Sequence, residues 1–286
     1  MKILILVPYP PEGASNRMRI EQYFPYLDSR DMKYRTRPFI SKKFYKIIYR
    51  EGLYARKAFH FLICFFKRCF DLIRAVNYDV IIVHREIFPL GPFFLERILK
   101  VMGKPIIFDF DDAIFLKNSS WPNSFVENLK NPKKAAKIIS MSRQVLAGNN
   151  YLANYALQFN KNVTVLPTCV DTDKFSSLKK SENRSKRKGD EIVIGWMGSI
   201  TTGEFLKSFY SVFLELQQKY DNVVFKAVGV DGREENLKGV IFKEWRLEDE
   251  IEDLNSFDIG IMPMPDNAWT KGKCGFKAIL YMAMGI

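Results

Sequence analysis

The sequence predicts an α/β protein made of two Rossmann-like domains, the second of them incomplete at its C-terminus. Short aliphatic runs alternate with longer amphipathic stretches, which is typical of a parallel sheet covered by helices on both faces. A polar run, KKSENRSKRKGDE, interrupts this alternation, which then restarts. We therefore expect a first domain over 1–178, a linker over 179–191 and a partial second domain over 192–286.

The first half of the chain has the pattern of a doubly wound domain. Its predicted strands are Lys2–Val7, Asp79–Val83, Pro105–Phe110, Gln144–Gly148 and Val163–Leu166. Continuous apolar runs of this length suit strands that are buried on both faces. Helices are predicted over Arg17–Leu27, from Gly91-Pro92 to Val101, and after Asn131 and Asn149. Asn side chains are good helix caps, so the last two helices have defined starting points.

The second half repeats the pattern with fewer strands. Its predicted strands are Ile192–Met197, Val223–Val228, Val240–Phe242 and Asp258–Met262, and its predicted helices are Glu204–Tyr220, Leu247–Asn255 and Lys277–Met284. A doubly wound domain usually has five or six strands, so this half is expected to lack its end.

Composition excludes several classes of protein. The four cysteines show neither CxxC pairing nor metal-ligand spacing, and there are only two histidines. We therefore expect no metal site and no cofactor. The first apolar run is short and ends in prolines, which suits a buried strand better than an export signal. The expected location is the cytoplasm, with attachment at the inner face of the membrane as an alternative.

The net charge of +12 is concentrated between Lys33 and Arg74, where lysine and arginine exceed acidic residues by ten. Aromatic and aliphatic residues are interleaved with these cations at helical spacing. The pattern predicts either a helix with a solvated basic face and a buried apolar face, or a surface that contacts an anionic membrane. No nucleic-acid module accompanies the charge, so we expect no nucleic-acid partner.

Two glycine-containing segments in the second half are candidates for binding phosphate. Gly198 and Ser199 follow a predicted strand and precede a helix, where backbone N–H groups can hold phosphate oxygens. The run from Lys271 to Lys277, KGKCGFK, opens the last helix with three lysines around two glycines. Cations at a helix N-terminus oppose the helix dipole unless an anion is present, which favours a diphosphate site.

Polar clusters also follow three strands of the first half. Asp109, Asp111 and Asp112 are predicted to lie at a strand end, where they would position an acceptor hydroxyl, hold a divalent cation or cap the next helix. His84, Arg85 and Glu86 follow another strand and offer an imidazole, a cation and a carboxylate. After the first strand, Gly13 and Arg17 lie in a turn that leads into a helix.

Taken together, the segments PYPPEGASNRMR, HREIFPLGP, FDFDDAIF, VTVLPTCVDTDKF, IGWMGS and GKCGFKAILYMAMG resemble those of the GT-B glycosyltransferases of the family 4 group. These are mostly bacterial enzymes of capsule, lipopolysaccharide and exopolysaccharide assembly. The similarity extends over essentially the whole chain and ends before the last strands and the crossover helix of that family.

The resemblance implies transfer, with retention, from a nucleotide-diphosphate sugar bound mainly by the second domain to a saccharide or lipid-linked acceptor beside the first. The residues that it places at the donor diphosphate are Gly198, Ser199, Gly275 and Phe276. It places Gly13 and Arg17 in a loop that faces the cleft. His84, Arg85, Glu86 and Asp109 are then expected on the acceptor side.

The sequence also departs from the family pattern. An Arg and a Lys that often follow the first donor glycine are replaced by Ser199 and Glu204. Paired glutamates around the donor helix are replaced by Gly272 and Leu280, and a strand-end His by Asp111. We expect Lys271, Lys273 and Lys277 to replace the missing cationic pair, because a leaving diphosphate needs positive charge and not one particular side chain. The expected catalytic residues are thus Asp111, Lys273 and Lys277.

Two other readings remain open. A nucleotide-sugar epimerase uses the same architecture, but it needs several acid–base groups and the chain has few histidines. The other reading is a truncated, non-catalytic relative that binds a membrane surface or a partner through its basic first domain.

Overall fold

The computed structural model describes residues 1–91, 94–116, 131–176, 190–230 and 237–286. These residues form two compact units. The first unit comprises Met1–Thr168 and Asn267–Cys274, and the second comprises Cys169–Asp266 and Gly275–Ile286. Each unit has an α/β architecture with its own parallel sheet, which confirms the predicted fold class. Most of the predicted linker, 179–189, lies outside the described residues.

The first unit contains a six-stranded parallel sheet. Its strands are β1 (Lys2–Val7), β2 (Lys33–Pro38), β3 (Val80–His84), β4 (Ile106–Phe110), β5 (Gln144–Ala147) and β6 (Val163–Val165). They lie in the order β2-β1-β3-β4-β5-β6. Five of the six match predicted strands to within one residue at either end. The exception is β2, a half-exposed edge strand whose alternating basic residues hide its strand pattern.

Among the residues that the structure describes, seven α-helices of the first unit lie between these strands. They are α1 (Ala14–Arg19), α2 (Phe24–Ser29), α3 (Lys42–Ile48), α4 (Tyr54–Arg74), α5 (Phe94–Val101), α6 (Lys133–Met141) and α7 (Asn150–Leu157). The predicted helix over Arg17–Leu27 is wrong as a continuous element. Pro25 lies in the first turn of α2 and has no N–H to continue a helix that began earlier.

The predicted asparagine cap of α7 is present, because the side chain of Asn149 accepts a hydrogen bond from the N–H of Leu152 at 2.9 Å. This bond satisfies an N–H that has no partner inside the helix, and it fixes where α7 begins. In α6 the cap residue is Pro132 and not Asn131, although the side chain of Asn131 accepts a hydrogen bond from the N–H of Lys133 at 3.1 Å. The proposed start of α5 at Pro92 lies outside the described residues.

The second unit contains a four-stranded parallel sheet. Its strands are β7 (Ile192–Met197), β8 (Val223–Val228), β9 (Val240–Lys243) and β10 (Ile259–Gly260), in the order β10-β7-β8-β9. Its described helices are α8 (Ile200–Lys207), α9 (Tyr210–Lys219), α10 (Glu250–Asn255) and α12 (Phe276–Ala283). A one-turn helix between the last two, α11 (Ala268–Lys271), belongs to the first unit.

Three predicted elements of the second unit differ from the observed ones, and the first is the helix predicted over Leu247–Asn255, which begins at Glu250. The helix predicted over Glu204–Tyr220 is interrupted where the hydroxyl of Ser208 donates to the carbonyl of Phe205 at 2.8 Å, an arrangement typical of helix ends. The strand predicted over Asp258–Met262 pairs with β7 only at Ile259–Gly260. In the described part of the chain, no helix is both long and apolar enough to cross a bilayer.

Candidate functional site

The carboxyl ends of β1, β3 and β4 form one edge of the first sheet. Strand register pairs His84 with Asp109, so the polar groups that follow these two strands are neighbours. Ligands of open parallel sheets bind at this edge, because helices and loops leave a crevice there. The polar residues predicted after β3 and β4 are therefore brought together.

A chain of hydrogen bonds begins at Asp109 and ends at Ser15. The Nδ1 atom of buried His84 lies 2.6 Å from Oδ2 of Asp109, and its Nε2 atom lies 2.6 Å from Oγ of Ser15. If Nδ1 carries the proton and donates to Asp109, Nε2 accepts from the hydroxyl of Ser15. Asp109 then orients the imidazole, and the imidazole orients the hydroxyl. Such an arrangement can position a substrate hydroxyl or pass a proton.

Arg19 binds the other side of Asp109. Its guanidinium forms a close, buried ion pair with Oδ1 of Asp109, and its Nη1 atom donates to the carbonyl of Leu166 at 2.6 Å. Burial lowers the pKa of Arg19, but the charge of Asp109, its hydrogen bond and the nearby charge of Asp111 together outweigh this effect, so the net pKa is raised. Arg19 therefore remains charged and fixes the position of Asp109.

A second charged group surrounds Asp111 and Asp112. The Nε atom of Arg85 lies 2.7 Å from Oδ1 of Asp111, and its Nη2 atom lies 3.0 Å from Oδ2 of Asp112. The ammonium of Lys273 lies 3.0 Å from Oδ1 of Asp112. Arg85 has a φ of +62°, a left-handed conformation that is uncommon outside glycine and that aims its guanidinium at both carboxylates.

These cations keep Asp111 ionised. Burial alone would raise the pKa of Asp111, but Arg85, followed by His84, holds the pKa well below its usual range. Asp111 is therefore a hydrogen-bond acceptor and an unsuitable proton donor at neutral pH. Its Oδ2 atom also lies 3.3 Å from Oγ of Ser15, so this hydroxyl contacts both His84 and Asp111.

The segment 267–274 is held in the first unit by close backbone contacts. The amide of Asn149 donates to the carbonyls of Lys271 and Lys273 at 3.0 and 3.1 Å. A Cβ atom at Gly272 would lie 2.7 Å from Cβ of Ala113, and one at Gly148 would lie 2.4 Å from Sγ of Cys274. Both glycines are needed because any side chain would separate the packed surfaces.

Other predicted acceptor-side residues have separate surroundings. The buried Arg17 follows Gly13, where a Cβ atom would lie 2.6 Å from Cβ of Tyr9. Burial, with Tyr9 and Glu12 nearby, raises the pKa of Tyr45 in the same region to about 12. Glu86 lies 4.0 Å from the ammonium of Lys134.

In the second unit, Lys277 lies at the carboxyl end of β7. Its Nζ atom is 4.3 Å from the ring centroid of the buried Trp196 and 3.3 Å from Oγ1 of Thr202. A Cβ atom at Gly198 would lie 2.8 Å from this ammonium. The predicted residues Gly198 and Lys277 are thus neighbours, although about eighty positions separate them in the sequence.

Two helices begin beside this ammonium. Thr202 is in the first turn of α8, which Ser199 precedes, and Lys277 is in the first turn of α12, which Gly275 and Phe276 open. Gly275 has a φ of +64°, which suits glycine. Neither first turn contains an acidic residue. Each helix start carries roughly half a positive charge, so the ammonium adds to two favourable sites for an anion.

The sequence did not single out several residues that shape these two edges. Gly229 has a φ of +97°, and its Cβ atom would lie 1.9 Å from the carbonyl oxygen of Gly198, so only glycine fits. Gly229 directly follows a predicted strand, and this position is the sequence feature that could have indicated a close backbone approach. The partners Ser15 and Arg19 are polar residues near a predicted helix start, but their contacts lie 69 or more positions away. Asn149 was predicted only as a helix cap, and its contacts with the segment 267–274 were not predicted.

An open depression of about 550 Å³ lies at the amino ends of the strands of the first unit, lined by Lys2, Tyr78 and Lys104 among others. Geometry favours the opposite edge, where the charged groups converge and where parallel sheets bind ligands. Among the described residues, no three His, Cys, Asp or Glu side chains have the arrangement of a metal site.

No protein-family model matches the chain, and no curated protein matches its sequence. Solved structures do match its fold. HepE from Anabaena in complex with UDP-glucose has a TM-score of 0.60 and 14% identity, with coverage of 100% of this chain and 79% of that one. Sucrose-phosphate synthase from Thermosynechococcus elongatus has a TM-score of 0.57 and 10% identity, with coverage of 93% and 77%.

UDP-GlcNAc 2-epimerase from Neisseria meningitidis bound to UDP-GlcNAc has a TM-score of 0.56 and 14% identity, with coverage of 91% and 77%. At these identities the similarity establishes architecture and not activity. The chain therefore has the GT-B fold, with two Rossmann-like units, that glycosyltransferases and a nucleotide-sugar epimerase share.

Proposed function

We propose that this protein is a glycosyltransferase that moves a sugar from a nucleotide-diphosphate sugar to a saccharide or lipid-linked acceptor. The observation that carries the proposal is the meeting of two helix starts at the ammonium of Lys277, with no acidic residue in either first turn. A site with this charge is complementary to a diphosphate.

The same arrangement suits the chemistry of sugar transfer. When the glycosidic bond to the donor breaks, negative charge develops on the departing diphosphate, and a fixed cation with oriented backbone N–H groups stabilises that charge. In this proposal Lys277 supplies the cation. Gly198 and Ser199 at one helix start, with Gly275 and Phe276 at the other, supply backbone groups.

The related structures support a nucleotide-sugar donor. HepE has been solved with UDP, with UDP-glucose, and with UDP and glucose. A trehalose-phosphate synthase from Burkholderia vietnamiensis, described as UDP-forming, has a TM-score of 0.58 and 11% identity. We carry over from these proteins the donor class alone, because this chain shares too few residues with them for a choice of sugar.

On the acceptor side, we propose that Ser15, His84, Asp109 and Asp111 position the hydroxyl that receives the sugar. Ser15 is the outermost member of the hydrogen-bond chain, and Asp111 is held as an acceptor. The sequence predicted that Lys273 contacts phosphate. Because its ammonium is paired with Asp112, we propose instead that Lys273 helps to hold the acceptor-side carboxylates in place. We further propose retention at the transferred carbon and a role in bacterial surface polysaccharide synthesis.

The donor proposal can be tested by calorimetry with a panel of nucleosides, nucleoside monophosphates and nucleoside diphosphates. We expect affinity to rise with the number of phosphates for at least one base. The Lys277→Met variant should lose most of the gain due to the second phosphate, whereas Lys273→Met, a matched control, should keep it. Equal affinity for nucleoside and diphosphate would overturn the proposal.

A nucleotide-sugar epimerase is the second candidate, because such an enzyme has a similar fold and also binds a nucleotide-sugar. The products separate the two activities. A transferase releases a nucleoside diphosphate in proportion to glycosylated acceptor, and the anomeric configuration of that product reports retention. An epimerase converts one nucleotide-sugar into another when no acceptor is present.

A further inference from the structure

Helix α4 has two apolar faces, of which only one serves the core. On the inward face, Cys64 and Leu72 are buried and Phe61 and Phe65 pack against the core of the first unit. The outward face carries five large apolar residues: Phe59 (62% exposed), Leu62 (54%), Phe66 (67%), Phe70 (53%) and Ile73 (67%). A helix that only closes a core needs one apolar stripe, so the second stripe requires another explanation.

The outward stripe is regular and extended. Its spacing of three and four residues places all five side chains along one line of the helix. With each ring or branched chain leaving roughly 100 Å² in water, the stripe exposes on the order of 500 Å², about the size of the largest apolar patch on a typical monomer. The adjacent helix α5 adds Phe94, Ile98 and Val101, which are also exposed.

Exposed cations border this surface. Arg56, Lys67 and Arg74 are exposed and lie eleven and seven positions apart, which puts them on the same side of the stripe. On α5, Arg97 and Lys100 are exposed as well. The surface is therefore apolar along its length and positively charged at its margin.

The acidic residues of these two helices point away from the same surface. Asp71 is buried and its carboxylate lies 3.0 Å from Nε of Arg37. Glu96 is also buried, and its Oε1 atom lies 3.2 Å from the ammonium of Lys134. The carboxylates of α4 and α5 thus pair with cations inside the unit. The charged residues that remain exposed on both helices are therefore positive.

Arg68 fixes which face of α4 points outward. This buried side chain donates from Nη1 to the carbonyl of Arg37 and from Nη2 to the carbonyl of Val7, both at 3.1 Å. These bonds anchor the helix to the ends of β2 and β1. Rotation that hid the outward stripe would leave a buried guanidinium without its acceptors, at high cost.

We propose that α4 and α5 dock on the surface of an anionic lipid bilayer, with the outward apolar stripe at the level of the acyl chains and the marginal cations at the lipid phosphates. Interfacial helices have this composition, with an apolar face and lysine or arginine beside it. A second copy of the chain is a poorer occupant, because it would bring an identical row of cations against the first. The proposal does not depend on the transferase activity.

Co-sedimentation of the full chain with vesicles tests the proposal. Vesicles of equal parts phosphatidylcholine and phosphatidylglycerol should bind the protein at least about tenfold more tightly than pure phosphatidylcholine, and added salt should weaken this binding. The triple variant Phe59→Ser, Phe66→Ser, Ile73→Ser should lose at least about tenfold in partitioning. The triple variant Arg56→Gln, Lys67→Gln, Arg74→Gln should lose a similar factor and most of the salt dependence.

The matched control is Ile241→Ser with Met282→Ser, which removes exposed apolar side chains from the second unit. It should bind vesicles like the unaltered protein, and all variants should keep the same circular dichroism because the changed residues are exposed. Equal binding to neutral and anionic vesicles, or no loss in the serine triple variant, would overturn the proposal. Light scattering that shows a dimer dissociated by the serine triple variant, with unchanged vesicle binding, would identify a second copy as the occupant instead.

Discussion

The carboxyl edges of the two sheets differ in how their charged groups are arranged. In the first unit, Asp109, Asp111 and Asp112 are each bound by a cation of the same unit. In the second unit, two helix starts meet at Lys277 without an acidic residue in either first turn. The first edge is neutralised internally, and we propose that it receives an uncharged group such as a sugar hydroxyl. We propose that the second edge receives an anion, because helix starts favour negative charge.

The comparison also shows why the position of a lysine matters more than its presence in a motif. Lys273 and Lys277 are four residues apart, yet Lys273 belongs to the first unit and Lys277 to the second. The ammonium of Lys273 pairs with Asp112, and the ammonium of Lys277 lies over the ring of Trp196. Replacing each in turn should therefore produce different kinds of defect.

The largest effect is expected for Lys277→Met, which keeps the aliphatic stem and removes the charge. Loss of one group that stabilises developing charge typically lowers turnover by about 10²–10³, or about 3–4 kcal/mol. We expect this decrease in the rate of nucleoside diphosphate release, measured with saturating donor. A decrease of the same size in Lys273→Met would show that the two edges do not differ as described.

A smaller effect, on stability, is expected for Asp111→Asn. This change leaves the half-buried guanidinium of Arg85 with one carboxylate instead of two, and should lower the free energy of unfolding by about 2 kcal/mol in urea titrations at pH 7. Asp28→Asn, at an exposed carboxylate of the same unit, should change it by less than about 0.5 kcal/mol.

The same variant has a defined pH dependence. The folded-state pKa of Asp111 lies below the unfolded-state value of about 4, so its contribution is present above pH 4 and is lost as pH falls toward the folded-state pKa. The stability difference between the unaltered protein and Asp111→Asn should therefore shrink below pH 4. A difference that stays constant down to pH 2 would argue against the proposed ion pair.

The smallest effect is expected for Tyr281→Phe in the second unit. The hydroxyl of Tyr281 accepts the backbone N–H of Met197 at 3.0 Å, where β10 is too short to supply a partner. Its loss leaves a buried N–H unsatisfied, at a cost of about 1–2 kcal/mol in urea unfolding. Tyr220→Phe, at an exposed tyrosine, is the matched control.

Burial raises the pKa of Tyr281 to about 12, above its unfolded-state value of about 10. The stability that this shift contributes is complete below pH 10 and is lost as pH rises toward 12. Tyr281→Phe should therefore flatten the alkaline limb of the stability profile. An unchanged alkaline limb would show that the hydroxyl is not held as described.

Much of the fold could be predicted from local patterns, because nine of the ten strands in the described parts of the chain are apolar runs bounded by polar residues. The strand β2 was missed because its side chains alternate between cations and neutral residues at an exposed edge, so charge masked its period. The strand β10 was predicted too long, since Tyr281 takes the place of further strand pairing beside Gly260.

The candidate site was predictable to a lesser degree. Strand ends pointed to His84, Asp109 and Asp111, because parallel strands finish at one edge. The partners that give these residues their chemistry were not predictable: Arg19 lies 90 positions from Asp109, and Lys273 lies 161 positions from Asp112. A sequence without aligned relatives contains no signal for contacts at that separation.

The return of the segment 267–274 to the first unit has a consequence for synthesis of the chain. In the first unit, Gly272 packs against Ala113 and Lys273 pairs with Asp112. Neither contact can form until residues 267–274 have left the ribosome, and these residues follow most of the second unit in the sequence. Until then Asp112 has Arg85 but not yet Lys273 as a cationic partner, and the surface around Ala113 that later packs against Gly272 is uncovered. Early domains of growing chains usually fold as soon as they emerge, whereas here the final closure of the earlier unit waits for the later one.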